Sequence, residues 1–213
     1  MSARQAAPEP AEEKKSTTHQ VVELVVIVAI ALGVAFLVQA FLVKPYKIPS
    51  GSMEPTLDIG QRVLVNRLAA DFGEPAVGDI LVFHPPAGIE ENGQDQCGRI
   101  HPADQSCSVP RDGQSSNTFI KRLVGLPGDT LRIVDGHVIR NGKRESDDYI
   151  APCDGQPQCD LPAPIKVLPG HYFLMGDNRG NSDDSRFWGP IAKDAIIGEA
   201  FATYWPPDRI GLE

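Results

Sequence analysis

The sequence predicts a mainly β domain, an antiparallel β-sheet structure preceded by one transmembrane helix. Three observations favour this fold class. One apolar run of about two dozen residues lies near the N-terminus, the later apolar residues come in short runs between turn residues, and the chain holds 20 glycines and 19 prolines. Turn residues at this frequency are typical of β structure and argue against a helical bundle.

The first 43 residues divide into a polar tail and an apolar helix. Residues 1–20 contain few large apolar groups and cannot bury enough surface to offset ordering entropy, so we predict a disordered tail. Residues 21–43, VVELVVIVAIALGVAFLVQAFLV, are long enough to cross the hydrocarbon core as a helix. A cleaved signal peptide is the alternative, but the run exceeds a typical h-region and no A-x-A-like site follows it.

The four cysteines bear on the orientation of this helix. All of them follow the apolar run, and disulfides form in oxidising compartments, so we place residues 44–213 outside the cytoplasm and the tail inside. Cationic residues flanking the run weakly favour the same cytoplasmic N-terminus. Of three possible pairings we favour the local ones, Cys97–Cys107 and Cys153–Cys159. The alternative, a metal site of Cys97, His101 and Cys107, has the spacing of no compact zinc knuckle, and we predict no metal.

Six later segments alternate as strands do, and two others are polar. The strand segments are Gln61–Leu68, Asp79–Pro85, Thr118–Leu126, Asp129–Lys143, His171–Asp177 and Ile196–Pro206. Asp135-Gly136 is a strong hairpin signal inside the fourth. The segments 86–117 and 146–164 are predicted loop insertions, each containing one cysteine pair.

Composition and motifs exclude several classes of function. The net charge of −8 and the lack of a dense basic patch argue against a nucleic-acid partner. No P-loop or dinucleotide fingerprint is present, so we predict no cofactor.

The stretch IPSGSMEPTL, residues 48–57, places two serines beside a glycine, and a serine nucleophile needs a base. The five histidines have no accompanying acidic motif, which leaves a Ser-His-Asp triad open but without positive support. Lys121 lies in the apolar strand TFIKRLVGL, where alternation sends Lys121 and Arg122 to opposite faces. Burial can lower a lysine pKa by about 3 to 5 units, enough to make a base. A strand lysine that snorkels to solvent is the structural alternative.

Four motifs in order make the chain recognisable. IPSGSMEPTL after a membrane span, GDILVF, KRLVGLPGD and MGDNRGNSDDSRFWGP together resemble bacterial type I signal peptidase, a Ser-Lys dyad serine protease family. The resemblance implies that Ser52 is the nucleophile and Lys121 the general base. It also implies an oxyanion hole formed by the Ser52 backbone N–H and the Ser50 hydroxyl.

The resemblance assigns supporting roles to the last motif. Ser182 matches a serine that hydrogen-bonds and orients the lysine, and Asp184 and Arg186 match an ion pair that braces the site, with Asp177 in the same network. A carboxylate beside the lysine would oppose its deprotonation. We therefore expect Asp184 to pair with Arg186 and not with Lys121.

The family removes signal peptides from secretory preproteins at small residues, so the implied partners are these preproteins and the lipid bilayer of the cell membrane. An extended peptide could add to a strand edge and place small side chains in shallow apolar pockets. The candidate pocket residues are Ile48, Pro49, Met53, Leu57, Phe119 and Ile120, with Tyr46 and Val63 deeper.

Three rival functions remain. A membrane-anchored binding protein with a non-catalytic fold of this type would use the serines and Lys121 structurally. A cytoplasmic Ser-Lys autoprotease of the repressor type requires a helix-turn-helix where this chain has its apolar run. A relative with histidine as the base is disfavoured by Lys121 at the matching position.

Overall fold

The computed structural model describes residues 17–68, 73–89, 97–98 and 100–213. Residues 1–16 of the predicted tail, and residues 90–96 and 99 of the first predicted insertion, lie outside the described residues. The chain divides into two units, residues 1–40 and residues 41–213.

Helix α1 spans Thr17–Phe41 and, apart from Phe41, lies in the first unit. Its window Thr18–Phe36 has a mean hydropathy of 2.2 and none of it is buried, which fits a membrane anchor. Its 25 residues span about 37 Å at 1.5 Å per residue, more than the hydrocarbon core of about 30 Å. The helix begins four residues before the predicted span and ends before Val43. The four added residues are polar. They still extend the helix, because each residue added to an existing helix gains one backbone hydrogen bond.

The second unit is mainly antiparallel β structure, as the sequence predicts. Its strands are β1 (Val43–Lys47), β2 (Arg62–Asn66), β3 (Ile80–Phe83), β4 (Phe119–Gly125), β5 (Thr130–Val134), β6 (His137–Arg140), β7 (Lys143–Arg144), β8 (Leu161–Lys166), β9 (His171–Met175), β10 (Ile191–Ala192), β11 (Ile196–Trp205) and β12 (Gly211–Leu212). A short helix α2 spans Ser185–Trp188.

The strands form two sheets. Among the described residues the larger sheet has the order β1-β2-β11-β3-β4-β9-β10, with β12 on β11, and the smaller has the order β7-β6-β5-β8. The hairpin of β5 and β6 turns at Asp135-Gly136, where φ is 49° and 77°, as a two-residue hairpin turn with two left-handed positions requires. The smaller sheet packs its apolar face around Leu131, Ile133 and Phe173.

Four strands lie outside the predicted strand segments, namely β1, β8, β10 and β12, and the first two contain proline. Residues 161–164 of the predicted loop 146–164 belong to β8, and Val43, assigned to the membrane span, begins β1. Each is an edge strand of its sheet in the described structure. Proline lacks a backbone donor and is tolerated at an edge, where one side of the strand needs no ladder hydrogen bond. The prolines in β1 and β8 therefore indicate edge strands and not loops.

Candidate active site

The segment after β1 carries the predicted nucleophile in a short 3₁₀ turn, Gly51–Met53. The apolar side chains around this turn point inward, and Ile48, Met53 and Leu57 are almost wholly buried. They pack with Val63 and Ile120 in one apolar cluster. Burial of these side chains holds the turn against the sheet and leaves Ser52 just 7% exposed.

Strand β4 brings Lys121 to this turn. Lys121 Nζ lies 2.5 Å from Ser52 Oγ, although the two residues are 69 positions apart. Its neighbour Arg122 points to the opposite face of β4, where its guanidinium stacks 4.1 Å from the Tyr149 ring centroid. The lysine is 4% exposed, so it does not snorkel to solvent.

The Lys121 amine has a pKa lowered to about 8, mainly because burial disfavours its charged form. The carboxylates of Asp184, Asp183 and Asp177 act to raise this pKa, and the Arg186 guanidinium acts to lower it. At pH 7 roughly one amine in ten is uncharged, compared with about one in 2500 for an unperturbed lysine. The site thus provides a usable population of neutral amine beside a serine hydroxyl.

Ser50 lies beside the nucleophile on the open side. Its Oγ is 3.4 Å from Ser52 Oγ, and the residue is exposed. A hydroxyl at this position can rotate its hydrogen toward a group bound at Ser52.

Asp184 and Arg186 form a buried, bidentate ion pair at α2. The guanidinium donates from Nε to Oδ1 at 2.8 Å and from an η-nitrogen to Oδ2 at 2.9 Å. Asp184 also accepts from the Gly176 N–H at 3.0 Å and caps α2 through the Arg186 N–H. Burial acts to raise the pKa of Asp184, but Arg186 and these hydrogen bonds hold it below its ordinary value. Asp184 stays ionised and pairs with Arg186, while its charge still acts to raise the pKa of Lys121.

Asp177 belongs to a different network from the one the sequence predicts. Its carboxylate accepts from Arg122 at 2.9 and 2.6 Å and from the Thr56 hydroxyl at 2.6 Å. Arg122 also donates to the Gly78 carbonyl at 2.7 Å. Arg122 follows Lys121 in β4, so its side chain lies on the opposite face of the strand. The network therefore connects Thr56, in the segment that carries Ser52, to the face of β4 opposite Lys121. Thr56 and Arg122 are functional candidates that the sequence analysis missed, although strand alternation had placed Arg122 on that face.

Ser182 does not donate to Lys121 in this structure. Its Oγ is buried and makes no hydrogen bond to the described residues. It lies over Gly176, where an added Cβ would overlap both Ser182 Oγ and the Ser52 carbonyl oxygen. The absence of a side chain at Gly176 lets Ser182 approach the nucleophile turn this closely.

A cleft of about 390 Å³ opens onto Ser52 and Lys121. Four of the predicted pocket residues, Ile48, Pro49, Phe119 and Ile120, line it, as does Tyr46. Met53, Leu57 and Val63 do not line it. All three are fully buried in the apolar cluster, where Met53 and Leu57 anchor the segment against the β2 residue Val63. Polar residues including Asn181 and Asp183 also line the cleft.

Both disulfides are the local pairs favoured from the sequence, Cys97–Cys107 and Cys153–Cys159. Their thiols are therefore not available as ligands for the alternative metal site. Both closed loops contact Arg186: the Cys107 N–H donates to its carbonyl at 2.8 Å, and its guanidinium donates to the Gln158 carbonyl at 2.8 Å.

Comparison with known proteins gives a consistent family. The family model described as signal peptidase, peptidase S26, matches residues 21–205. The chain is 39% identical to a probable signal peptidase I-1 of Synechocystis sp., over 89% of this chain and 85% of that protein. It is 32% identical to a signal peptidase I of Leptolyngbya laminosa, over 95% and 89% of the two chains. A solved signal peptidase I from Enterococcus faecalis is 25% identical over 59% of this chain and 96% of that one, with a TM-score of 0.35, too low to support the fold.

Proposed function

Because the chain belongs to the signal peptidase family, peptidase S26, we propose that it removes signal peptides with a dyad of Ser52 and Lys121. Its relatives are named signal peptidase I, which supports an enzyme that acts on preproteins and gives no support to a non-catalytic binding protein. The observation that carries the dyad is the 2.5 Å approach of a buried, low-pKa amine to the Ser52 hydroxyl.

The proposed reaction begins when the neutral Lys121 amine takes the Ser52 proton while Oγ attacks the scissile carbonyl. The Ser52 N–H and the Ser50 hydroxyl donate to the oxyanion that develops, a kind of contact worth roughly 3 to 4 kcal/mol per donor. The lysine ammonium then gives its proton to the departing amine, and the C–N bond breaks to leave an ester on Ser52. Water, deprotonated by the same amine, hydrolyses this ester and restores the serine.

We propose that an extended peptide binds in the cleft with small side chains at the cleavage point. The apolar walls formed by Ile48, Pro49, Phe119 and Ile120 favour short apolar groups and leave little room for large ones.

Residues 1–20 are proposed as a cytoplasmic tail, residues 21–43 as the anchor in the cell membrane, and residues 44–213 as the extracytoplasmic catalytic domain. Anchoring in the bilayer raises the effective concentration of a membrane-inserted substrate.

Ser52→Ala tests the proposed function. We expect the detergent-solubilised variant to lose preprotein cleavage by at least about 10³-fold, because alanine lacks the hydroxyl that forms the ester. Product formation is followed by gel and mass spectrometry. The matched control is Ser146→Ala, a serine in a loop away from the cleft, which is expected to cleave at the wild-type rate. Cleavage at a wild-type rate by Ser52→Ala would exclude Ser52 as the nucleophile.

Asp183→Asn tests the role of charge around the base. Asp183 is exposed at the cleft and acts to raise the pKa of Lys121, so its neutralisation lowers that pKa. In a plot of kcat/KM against pH, we expect the acidic limb, where activity rises as Lys121 loses its proton, to move to lower pH. The gain in kcat/KM at pH 7 should be at most about fivefold, because exposed charge pairs contribute at most about 1 kcal/mol. Asp194→Asn, an exposed carboxylate outside the cleft, should leave the limb in place. A limb that does not move, or that moves equally in both variants, contradicts the prediction.

A further inference from the structure

Asn178 makes two hydrogen bonds to the backbone on either side of the nucleophile. Its Nδ2 donates to the Gly51 carbonyl at 3.0 Å, and its backbone N–H donates to the Ser52 carbonyl at 3.1 Å. A carbonyl oxygen can only accept, so the amide nitrogen of the side chain must face Gly51. One half-buried residue in the turn after β9 thus contacts both peptide groups that flank Ser52.

The Gly51 carbonyl and the Ser52 N–H belong to the same peptide group. That group is planar and trans, so the direction of its C=O fixes the direction of its N–H. A donor on the carbonyl also polarises the amide and strengthens its N–H as a donor. The Asn178 side chain therefore acts on the N–H that the proposed mechanism directs at the oxyanion.

We propose that Asn178 is a positioning residue for the oxyanion hole, holding the Gly51–Ser52 peptide so that its N–H points at the developing charge. The inference rests on the proposed function, because it gives the Ser52 N–H a role in the reaction. This role belongs to the Asn178 side chain. The hydrogen bond from the Asn178 backbone N–H to the Ser52 carbonyl is a separate contact, and a substitution at position 178 leaves it in place.

The test compares Asn178→Ala with Asn178→Asp in the full-length, detergent-solubilised protein. Aspartate has the same shape but presents an acceptor to the Gly51 carbonyl. We expect both variants to lose about 10- to 100-fold in kcat, less than the loss for removing an oxyanion donor outright, with KM changed less than about twofold. The acidic limb of the pH profile should stay in place for Asn178→Ala, because the change removes no charge near Lys121.

A substrate-like peptide aldehyde gives a second readout. Its tetrahedral adduct with Ser52 carries the oxyanion, so its affinity should fall by the same factor as kcat. Binding of an uncleaved peptide to the Ser52→Ala variant should not change when Asn178→Ala is added. Asn66→Ala, a half-buried asparagine at the end of β2, is the matched control and should keep wild-type kcat and aldehyde affinity.

The outcomes separate this inference from the proposed function. Wild-type kcat in both Asn178 variants, a loss confined to KM, or unchanged aldehyde affinity would overturn the inference while Ser52→Ala remains inactive. Full cleavage by Ser52→Ala would instead overturn the proposed function. If Asn178→Ala unfolds, as judged by circular dichroism, the isosteric Asn178→Asp decides, with its kcat taken from the plateau of the pH profile, because the added carboxylate acts to raise the pKa of Lys121.

Discussion

A Lys121→Met variant is expected to lose preprotein cleavage by at least about 10³-fold and to be more stable than the wild type at neutral pH. The loss follows because methionine has no group that can take the Ser52 proton. The gain follows because the wild type buries an amine whose pKa is about 8 in the folded state and 10.5 when the lysine is exposed to water. Below pH 8 both states are protonated, and the buried charge costs roughly 3 kcal/mol.

This cost has a definite dependence on pH. Between pH 8 and 10.5 the folded state releases its proton before the unfolded state does, so the wild type gains stability as the pH rises. In thermal unfolding in one detergent, the Tm of Lys121→Met should exceed that of the wild type by about 6 to 12 °C at pH 7, and the gap should narrow toward pH 10. Lys166→Met, at an exposed lysine on β8, is the matched control and should change neither activity nor Tm. If the Tm of Lys121→Met is below that of the wild type at pH 7, burial of the charged amine does not destabilise the folded state.

A Gly176→Ala variant is expected to lose most of its activity and part of its stability. The added Cβ would overlap Ser182 Oγ and the Ser52 carbonyl oxygen, and the latter is backbone that cannot rotate away. The nucleophile turn must then shift relative to Lys121, and a misplacement of about 1 Å at a reacting atom can cost 10²-fold in rate. We expect kcat/KM to fall by about 10²-fold or more and the Tm to drop. Both are measured in the preprotein assay and by thermal unfolding.

Gly211→Ala gives the matched comparison for that change. Gly211 lies in β12, and an added Cβ there meets no atom within 4 Å. It should retain wild-type activity and Tm. Equal activity in the two alanine variants would mean that the contacts over Gly176 do not constrain the site.

Alternation and turn chemistry predicted much of the β domain. The hairpin at Asp135-Gly136 and the opposite faces of Lys121 and Arg122 follow from local rules, and the structure has both. The edge strands β1 and β8 could not be predicted this way, because their prolines are typical of loops and only the sheet order shows which strands are at an edge.

The site was predictable to a smaller degree. Motif resemblance named Ser52 and Lys121, but it could not give the partners of Asp177 or the burial of Met53 and Leu57. Those depend on which faces meet across more than 50 positions of sequence, as when Thr56 reaches Asp177. Asn178 was overlooked for the same reason, since its two acceptors are 127 and 126 positions away and no local pattern identifies them.

Two loops from distant parts of the chain are each closed by a disulfide. Both loops make a hydrogen bond with Arg186. Each closure removes roughly 2 to 3 kcal/mol of loop entropy from the unfolded chain in the entropic account. Arg186 in turn holds the carboxylate that would otherwise be directed at the base. Reducing the two disulfides would therefore free both loops that contact Arg186, the ion-pair partner of a carboxylate that acts to raise the pKa of Lys121.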